Sequence, residues 1–326
     1  MANCENCPKH ETVRKARYVA PPRQVPLSGI LSVDKPAGMT SHDVVDAVRR
    51  VAGQRKVGHA GTLDPMATGV LLVCLGSGTR VAEYLMKGHK RYRANIVLGT
   101  TTDTYDAEGE VRSSGGRTDF ERREIEAALA HFVGRIEQVP PAYSAIKRDG
   151  QPLYKLAREG QEVQVAPRPV EIDEITILDW DSPSLVVEVG CSSGTYIRSL
   201  AHDLGQRLGC GAHLGGLVRL QSGHFALEDA VSLPRVEEAF EHGQEERYLL
   251  AIDDALIDWP AVILGREDAQ RLVHGQAVKA HSPPMPDRAP DLFRAYGPEG
   301  DFLGIVTYHE PSLCWRPKKV FVASPA

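Results

Sequence analysis

The sequence lacks the features of a membrane or secreted protein. None of its apolar runs approaches the roughly 20 residues that a helix needs to cross a bilayer. Its opening, MANCENCPKHETVRKARYV, has no apolar core of the signal-peptide kind. The expectation is a cytoplasmic protein with no membrane partner. Only six cysteines occur, Cys4, Cys7, Cys74, Cys191, Cys210 and Cys314, and they are scattered rather than framed. A disulfide scaffold is therefore excluded in favour of reduced thiols. Cys4, Cys7 and His10 resemble part of a zinc site, but four ligands are normally needed and no second pair stands at a usual spacing. No metal is expected, and residues 1–24 read as a polar, flexible tail.

A net positive charge is also missing: 38 Lys and Arg face 43 Asp and Glu, for a formal charge of -5. That rules out a uniformly basic nucleic-acid binder but not a locally basic one. From Asp34 to Arg93 there are ten basic residues against five acids, while from Glu228 to Asp258 ten acids face only Arg235 and Arg247. The acidity is concentrated in one place, and the segment 34–93 remains open to a polyanion.

What is present is 326 residues, 42% of them apolar, enough for one large core or two domains. GILSVDKPAGMTSHDVVDAVRRVAG reads as a strand, a Pro-Gly turn and a helix capped by Ser41, with Val44, Val48 and Val51 on one face. VLLVCLG has strand length, and KRYRANIVLGT alternates large side chains at Tyr92, Ala94, Ile96 and Leu98. Thr118 to Glu121 has the spacing of a capping box, and Ile125, Ala128, Leu129, Phe132, Val133 and Ile136 continue it as a helical stripe. QVPPAYSAIKRDGQPLYKLAREGQEV reads as an exposed loop passing into a short helix. Two strands follow, then a helix carrying Ile197, Leu200, Ala201, Leu204 and Leu208. The acidic stretch from Ala230 to Leu250 is the candidate boundary, HSPPMPDRAPD reads as a loop, and the last seventy or so residues read as a small β-rich module. The expected division is a tail over 1–24, a main domain over 25–248 and a small domain over 249–326.

One acid stands out. GHAGTLDPMATG, residues 58–69, sets a single carboxylate, Asp64, on a glycine-rich loop just before the apolar strand. Aspartyl phosphotransferases need a cation site from a second acid nearby, and aspartic proteases and glycosidases need paired carboxylates. A dinucleotide loop needs G-x-G-x-x-G after a strand and into a helix. The loop offers none of these, and what remains is one acid acting without metal or cofactor, beside glycines that let a large substrate approach the backbone.

GHAGTLDPMATGVLLVCLG closely resembles the signature of the bacterial TruB-type tRNA pseudouridine synthases, approximately GHxGTLDPxAxGVLxxxxG. DKPAGMTSHDVV, KRYRANIVLGTTTDTYDAEGE, VPPAYSAIKRDGQPLYKLAREG and GTYIRSLAHDLGQRLG resemble that family's other blocks, in order. The likeness is strong over about residues 27–225, and the region from 250 onward resembles the family's PUA-like C-terminal domain.

The resemblance implies an α+β pseudouridine synthase fold, a mixed, mainly antiparallel sheet flanked by helices and loops, with a small β-rich PUA-like domain. It implies isomerisation of uridine to pseudouridine at position 55 in the T loop of tRNA, after base flipping, with no cofactor. Asp64 resembles the catalytic aspartate, whether it attacks carbon or moves a proton at the sugar. Tyr92 matches the tyrosine that stacks on the target base and is a candidate to take the proton from C5; the sequence alone allows a core strand residue. Arg198 matches the guanidinium paired with the aspartate, against the plainer alternative of a structural ion pair with another acid. His59 resembles the residue that supports the flipped nucleotide. Tyr196, Leu217, Lys35 and Arg219 fall at substrate-side positions, Lys35 with Pro36 in a structural or supporting role. At Val218 the chain departs from the family's Leu-Arg-Arg block, which puts one RNA or pocket contact in question. His202 and His213 read as structural.

The implied partner is the T arm of tRNA, contacted by the segment near Lys87 to Arg93 and the loop around Lys147 to Lys155. No guide RNA is expected, since the segment 101–165 is bacterial in style and no long basic tail follows; a stand-alone monomer is the expectation. An RNA-binding or RNA-folding module with a relic site is the second class of reading, and Asp64, Tyr92 and Arg198 together weigh against it.

Overall fold

A computed structural model describes residues 19–143, 147–148, 151–152, 165–281 and 291–321. The Cys4, Cys7 and His10 tail lies outside these residues, as do most of the loop reading to Lys155 and most of HSPPMPDRAPD.

The first elements are β1 (Gly29–Lys35), α1 (Ser41–Ala52), β2 (Val57–Ala60) and β3 (Thr68–Leu75). After them come α2 (Ala82–Lys87), β4 (Lys90–Leu98), β5 (Thr100–Thr102), β6 (Val111–Ser114), α3 (Arg122–Leu129) and β7 (Gly134–Gln138). A hairpin of β8 (Lys147–Arg148) and β9 (Gln151–Pro152) precedes β10 (Arg168–Asp181) and β11 (Ser184–Cys191). The unit closes with α4 (Ile197–Leu208), β12 (Ala212–Ser222), β13 (Phe225–Ala226), β14 (Val231–Ser232) and α5 (Leu233–Glu241).

Ten of these strands form one sheet, ordered β14-β1-β3-β12-β4-β11-β10-β7, with β13 beside β12 and β2 beside β3. Only β1 with β14 and β12 with β3 run parallel, so the sheet is mixed and mainly antiparallel. β3 shows why its sequence is apolar without alternation. Leu71, Val73 and Leu75 pack under α1 and α5, whereas Val70, Leu72 and Cys74 pack on the opposite face. A strand buried on both sides has no polar face to show. β4 is covered on one face, and there the alternation of Tyr92, Ala94, Ile96 and Leu98 matches a core shared with α3 and α4.

The second sheet has the order β15-β17-β18-β19-β16: β15 (Ala261–Ile263), β16 (Val278–Lys279), β17 (Phe293–Tyr296), β18 (Phe302–His309) and β19 (Cys314–Val320), with α6 (Arg266–Val273) against it. Ile305 and Phe321 from this side join Ile30, Val70 and Leu72 in one buried cluster, which docks the small sheet on the large one. Among the described residues no helix is long and apolar enough to cross a membrane.

Local expectations are corrected in four places. Thr40, not Ser41, caps α1: its hydroxyl accepts from Asp43 N at 3.1 Å, and Thr40 N donates back to Asp43 Oδ2 at 2.8 Å. The box before α3 is Glu121 with Glu124, because Phe120 is anchored in the core and keeps the chain extended to that point. The α-helix ends at Leu129 and a 3-10 turn over Ala130–Phe132 carries Phe132 onto the same core, but the stripe goes no further: Gly134, at φ 97°, turns the chain into β7, where Ile136 pairs as a strand residue with Val170. Finally, the tail does not run free to residue 24. Ala20 N donates to Arg50 O at 3.1 Å, and Arg23 pairs with the buried Glu245. The acidic stretch at 230–250 holds α5, which packs on α1.

Candidate active site

Asp64 lies on the loop between β2 and β3, and that loop is gripped from three sides. Beneath it, the fully buried Lys35 donates its ammonium protons to the carbonyls of Pro36 at 2.9 Å, Met39 at 2.6 Å and Pro65 at 3.2 Å. Ser41, freed from capping, accepts from Leu63 N at 2.8 Å and donates to Leu63 O at 3.1 Å, tying the start of α1 to the residue before Asp64. Arg219 on β12 donates to Val70 O at 2.6 Å and to Gly61 O at 3.1 Å. Here Gly69 is required twice over: its φ is +98°, and a Cβ would stand 2.3 Å from Arg219 O.

Arg198 reaches the loop from the first turn of α4. That helix starts at Tyr196, whose N–H donates to Gln138 Oε1 at 2.8 Å while its carbonyl accepts from Gln138 Nε2 at 3.0 Å. The Arg198 guanidinium donates from Nη2 to Asp64 Oδ1 at 3.1 Å, and its Nε lies 3.0 Å from Asp64 Oδ2. From the other edge, Nη1 donates to Asp106 Oδ2 at 3.3 Å and approaches Thr104 O at 3.4 Å; Nη2 also meets Tyr143 O at 3.0 Å. The side chains of Arg198 and Asp106 are 6% and 5% exposed, while Asp64 keeps 33%, so the shared cation is closed behind and its carboxylate partner opens forward.

The opening is a cleft of about 620 Å³. Asp64, Arg198, Tyr92, His59, Tyr196, Leu217 and Arg219 all line it; Lys35 stays under the floor. Burial raises the Asp64 carboxyl above the ordinary carboxylate range, with Arg198 working against the shift. Burial also raises the Tyr92 hydroxyl, which stays a neutral phenol, and lowers His59, leaving a neutral imidazole. Lys90, on the wall, is lowered by burial to about 8.

Period-two alternation divides the basic run on β4. Lys90 and Tyr92 face the cleft, whereas Arg91 and Arg93 lie on the opposite face, with Arg91 engaged by Glu174 and Glu188. The same rule disposes of the Val218 departure: Leu217 and Arg219 line the cleft and Val218 between them does not. Sequence reasoning missed Asp106. Its block was in view, yet nothing in TTTDTYDAEGE separates the buried acid from Asp103, which meets the exposed Arg112. Among the described residues no three His, Cys, Asp or Glu side chains gather as metal ligands would.

Residues 49–197 match the model of the TruB family pseudouridylate synthase N-terminal domain. Residues 198–257 match the tRNA pseudouridylate synthase B C-terminal domain, and residues 260–319 match the C-terminal model of pseudouridine synthase II TruB. The chain is 47% identical over 249 residues to the tRNA pseudouridine synthase B of Syntrophotalea carbinolica, covering 76% of this chain and 81% of that one. The chain belongs to the TruB family. Another TruB relative, the tRNA pseudouridine synthase B of Pseudomonas putida, is 46% identical over 79% of this chain and 86% of its own. The TruB fold extends to solved structures: a chain of a Cbf5-Nop10-Gar1 complex superposes with TM-score 0.69 at 26% identity, covering 90% of this chain and 85% of that one. A chain of an H/ACA RNP bound to a substrate RNA containing 2'-deoxyuridine shares the fold at TM-score 0.70, 24% identity and the same coverage. The chain is thus a pseudouridine synthase by family and by fold, with the small second sheet in the place of the PUA-like domain.

Proposed function

We propose that this chain isomerises uridine to pseudouridine at position 55 in the T loop of tRNA, acting without guide RNA or cofactor. The observation that carries the reading is the contact of Asp64 with Arg198 at the mouth of the cleft, with Tyr92 on the wall. A uridine stacked in the arm is turned out into this cleft at a cost of roughly a few kcal/mol. His59 packs against the RNA, and Tyr92, neutral in its buried setting, serves first as the stacking face for the base. Asp64, ionised beside Arg198, acts at the ribose. The bond from C1' to N1 breaks and the bond from C1' to C5 forms; one proton leaves C5 and one is gained at N1, so no oxidant or co-substrate is consumed.

The sheet within residues 249–326 adds an RNA-binding surface beside the catalytic domain over 25–248. The experiment is direct: purified protein is incubated with an unmodified T-arm stem-loop and with a variant lacking the target uridine, and pseudouridine is mapped by chemical labelling and primer extension. A single stop at the target position supports the reading. An RNA that is bound but never isomerised favours an RNA-folding module and overturns it.

A further inference from the structure

Arg198 is held in place by a loop with an unusual backbone. Residues Thr104 and Asp106 both receive its Nη1, and Tyr105 between them has φ +65°, a left-handed conformation that a bulky side chain adopts at the cost of strain. Something must offset that strain. The Tyr105 ring lies flat on the imidazole of His202, with centroids 3.8 Å apart and planes 13° from parallel. His202 stands four residues after Arg198 on α4, hence on the same helical face. One helix therefore grips the loop twice: the guanidinium takes residues 104 and 106, and the imidazole takes the residue between.

We infer that the Tyr105–His202 stack is a positioning device for the reaction, fixing the turn that carries Asp106 so that the Arg198 guanidinium meets Asp64 squarely. Other contacts of the turn are consistent with a rigid support. Thr104 Oγ1 donates to Asp106 Oδ1 at 2.6 Å, Glu108 N donates to the same oxygen at 3.1 Å, and Leu214 N donates to Tyr105 O at 2.9 Å. The imidazole meets Tyr105 by its face, and its Nδ1 is buried with no hydrogen-bond partner among the described residues. A phenyl ring can therefore replace it, and a methyl group cannot.

The inference rests on the proposed function, and the test separates the two. Single-turnover rate and RNA affinity are measured for wild type, His202→Ala, His202→Phe, Tyr105→Gly and Asp64→Asn, with thermal unfolding to confirm folding. The expected result is a rate lowered roughly 10-fold in His202→Ala, as a small misplacement of a reacting group does, with affinity held within about twofold and most of the rate recovered in His202→Phe. Tyr105→Gly, which relieves the strain yet removes the ring, should follow His202→Ala. A wild-type rate in His202→Ala, or a His202→Phe as slow as His202→Ala, overturns the positioning role. If Asp64→Asn keeps the wild-type rate, it is the proposed function that falls.

Discussion

Asp106 Oδ2 lies 3.3 Å from Arg198 Nη1, on the edge of the guanidinium away from Asp64. A cation shared by two carboxylates, with one closed in and one open, is aimed rather than merely neutralised. Removing the buried partner should both unsettle the fold and misdirect the cation. Asp106→Ala is expected to lower stability by about 3 kcal/mol, as loss of one member of a buried pair does, and the single-turnover rate by roughly 100-fold. Urea unfolding and a rapid-quench time course read the two effects separately; a variant that is destabilised but fully active would leave Asp106 as scaffold alone.

The acid limb of the rate profile follows from the burial of Asp64. A carboxyl raised by desolvation needs a higher pH to ionise, and only the ionised form serves. Activity should therefore fall as pH drops through a midpoint above the ordinary 3.8. Since Arg198 works against the shift, Arg198→Gln should move the limb further upward and lower the plateau. A limb unmoved in that variant would detach the cation from the titration of the acid.

Lys90 gives a signature at the other end of the pH scale. Its ammonium, lowered to about 8 on the cleft wall, loses its charge above that pH. Because the ammonium is bound to the carbonyls of Leu85 at 3.2 Å and Gly88 at 2.8 Å, its loss of charge should loosen the end of α2 beside the cleft, and RNA affinity should weaken modestly between pH 7 and pH 9. Lys90→Met should remove this pH dependence while leaving the slope of affinity against salt nearly unchanged, since the ammonium is engaged by backbone carbonyls rather than open to phosphate. Fluorescence anisotropy across pH and salt checks both, and an identical pH response in the variant would assign the effect elsewhere.

Val218 supplies a prediction of no effect. It sits between two cleft-lining residues but is half-buried and does not line the cleft itself, so restoring an arginine there should leave the single-turnover rate within about twofold, although stability falls modestly. A rate changed tenfold in Val218→Arg would mean that the strand is read on its other face during turnover.

Much of this architecture was legible in the sequence because its signals are local. The run from Val70 to Leu75 announced a strand, the alternation from Tyr92 to Leu98 announced another, and the spacing from Ile197 to Leu208 announced the helix that carries Arg198; the structure adds that the first is buried on both faces and the second covered on one. Asp64 and Arg198 were named together through the resemblance, and a separation of 134 positions along the chain closes to a direct contact. The rest depends on facts that no short window contains. Asp106 differs from Asp103 only in burial, which is set by α4 arriving from a distant part of the chain. Ser41 resembled a cap because its partner Leu63 lies 22 residues away. Lys90, Arg91 and Arg93 read as one basic patch until the pleat of β4 sent them to two faces.

The central claim is that the ionised carboxylate at position 64 carries the chemistry while the rest of the cleft binds the RNA. The most direct measurement is a single-turnover assay of Asp64→Asn on an unmodified T-arm stem-loop, with the dissociation constant determined in parallel. The account predicts RNA affinity within about threefold of wild type, less than 1 kcal/mol, and no pseudouridine at the target. Pseudouridine formed at the wild-type rate by that variant would contradict it.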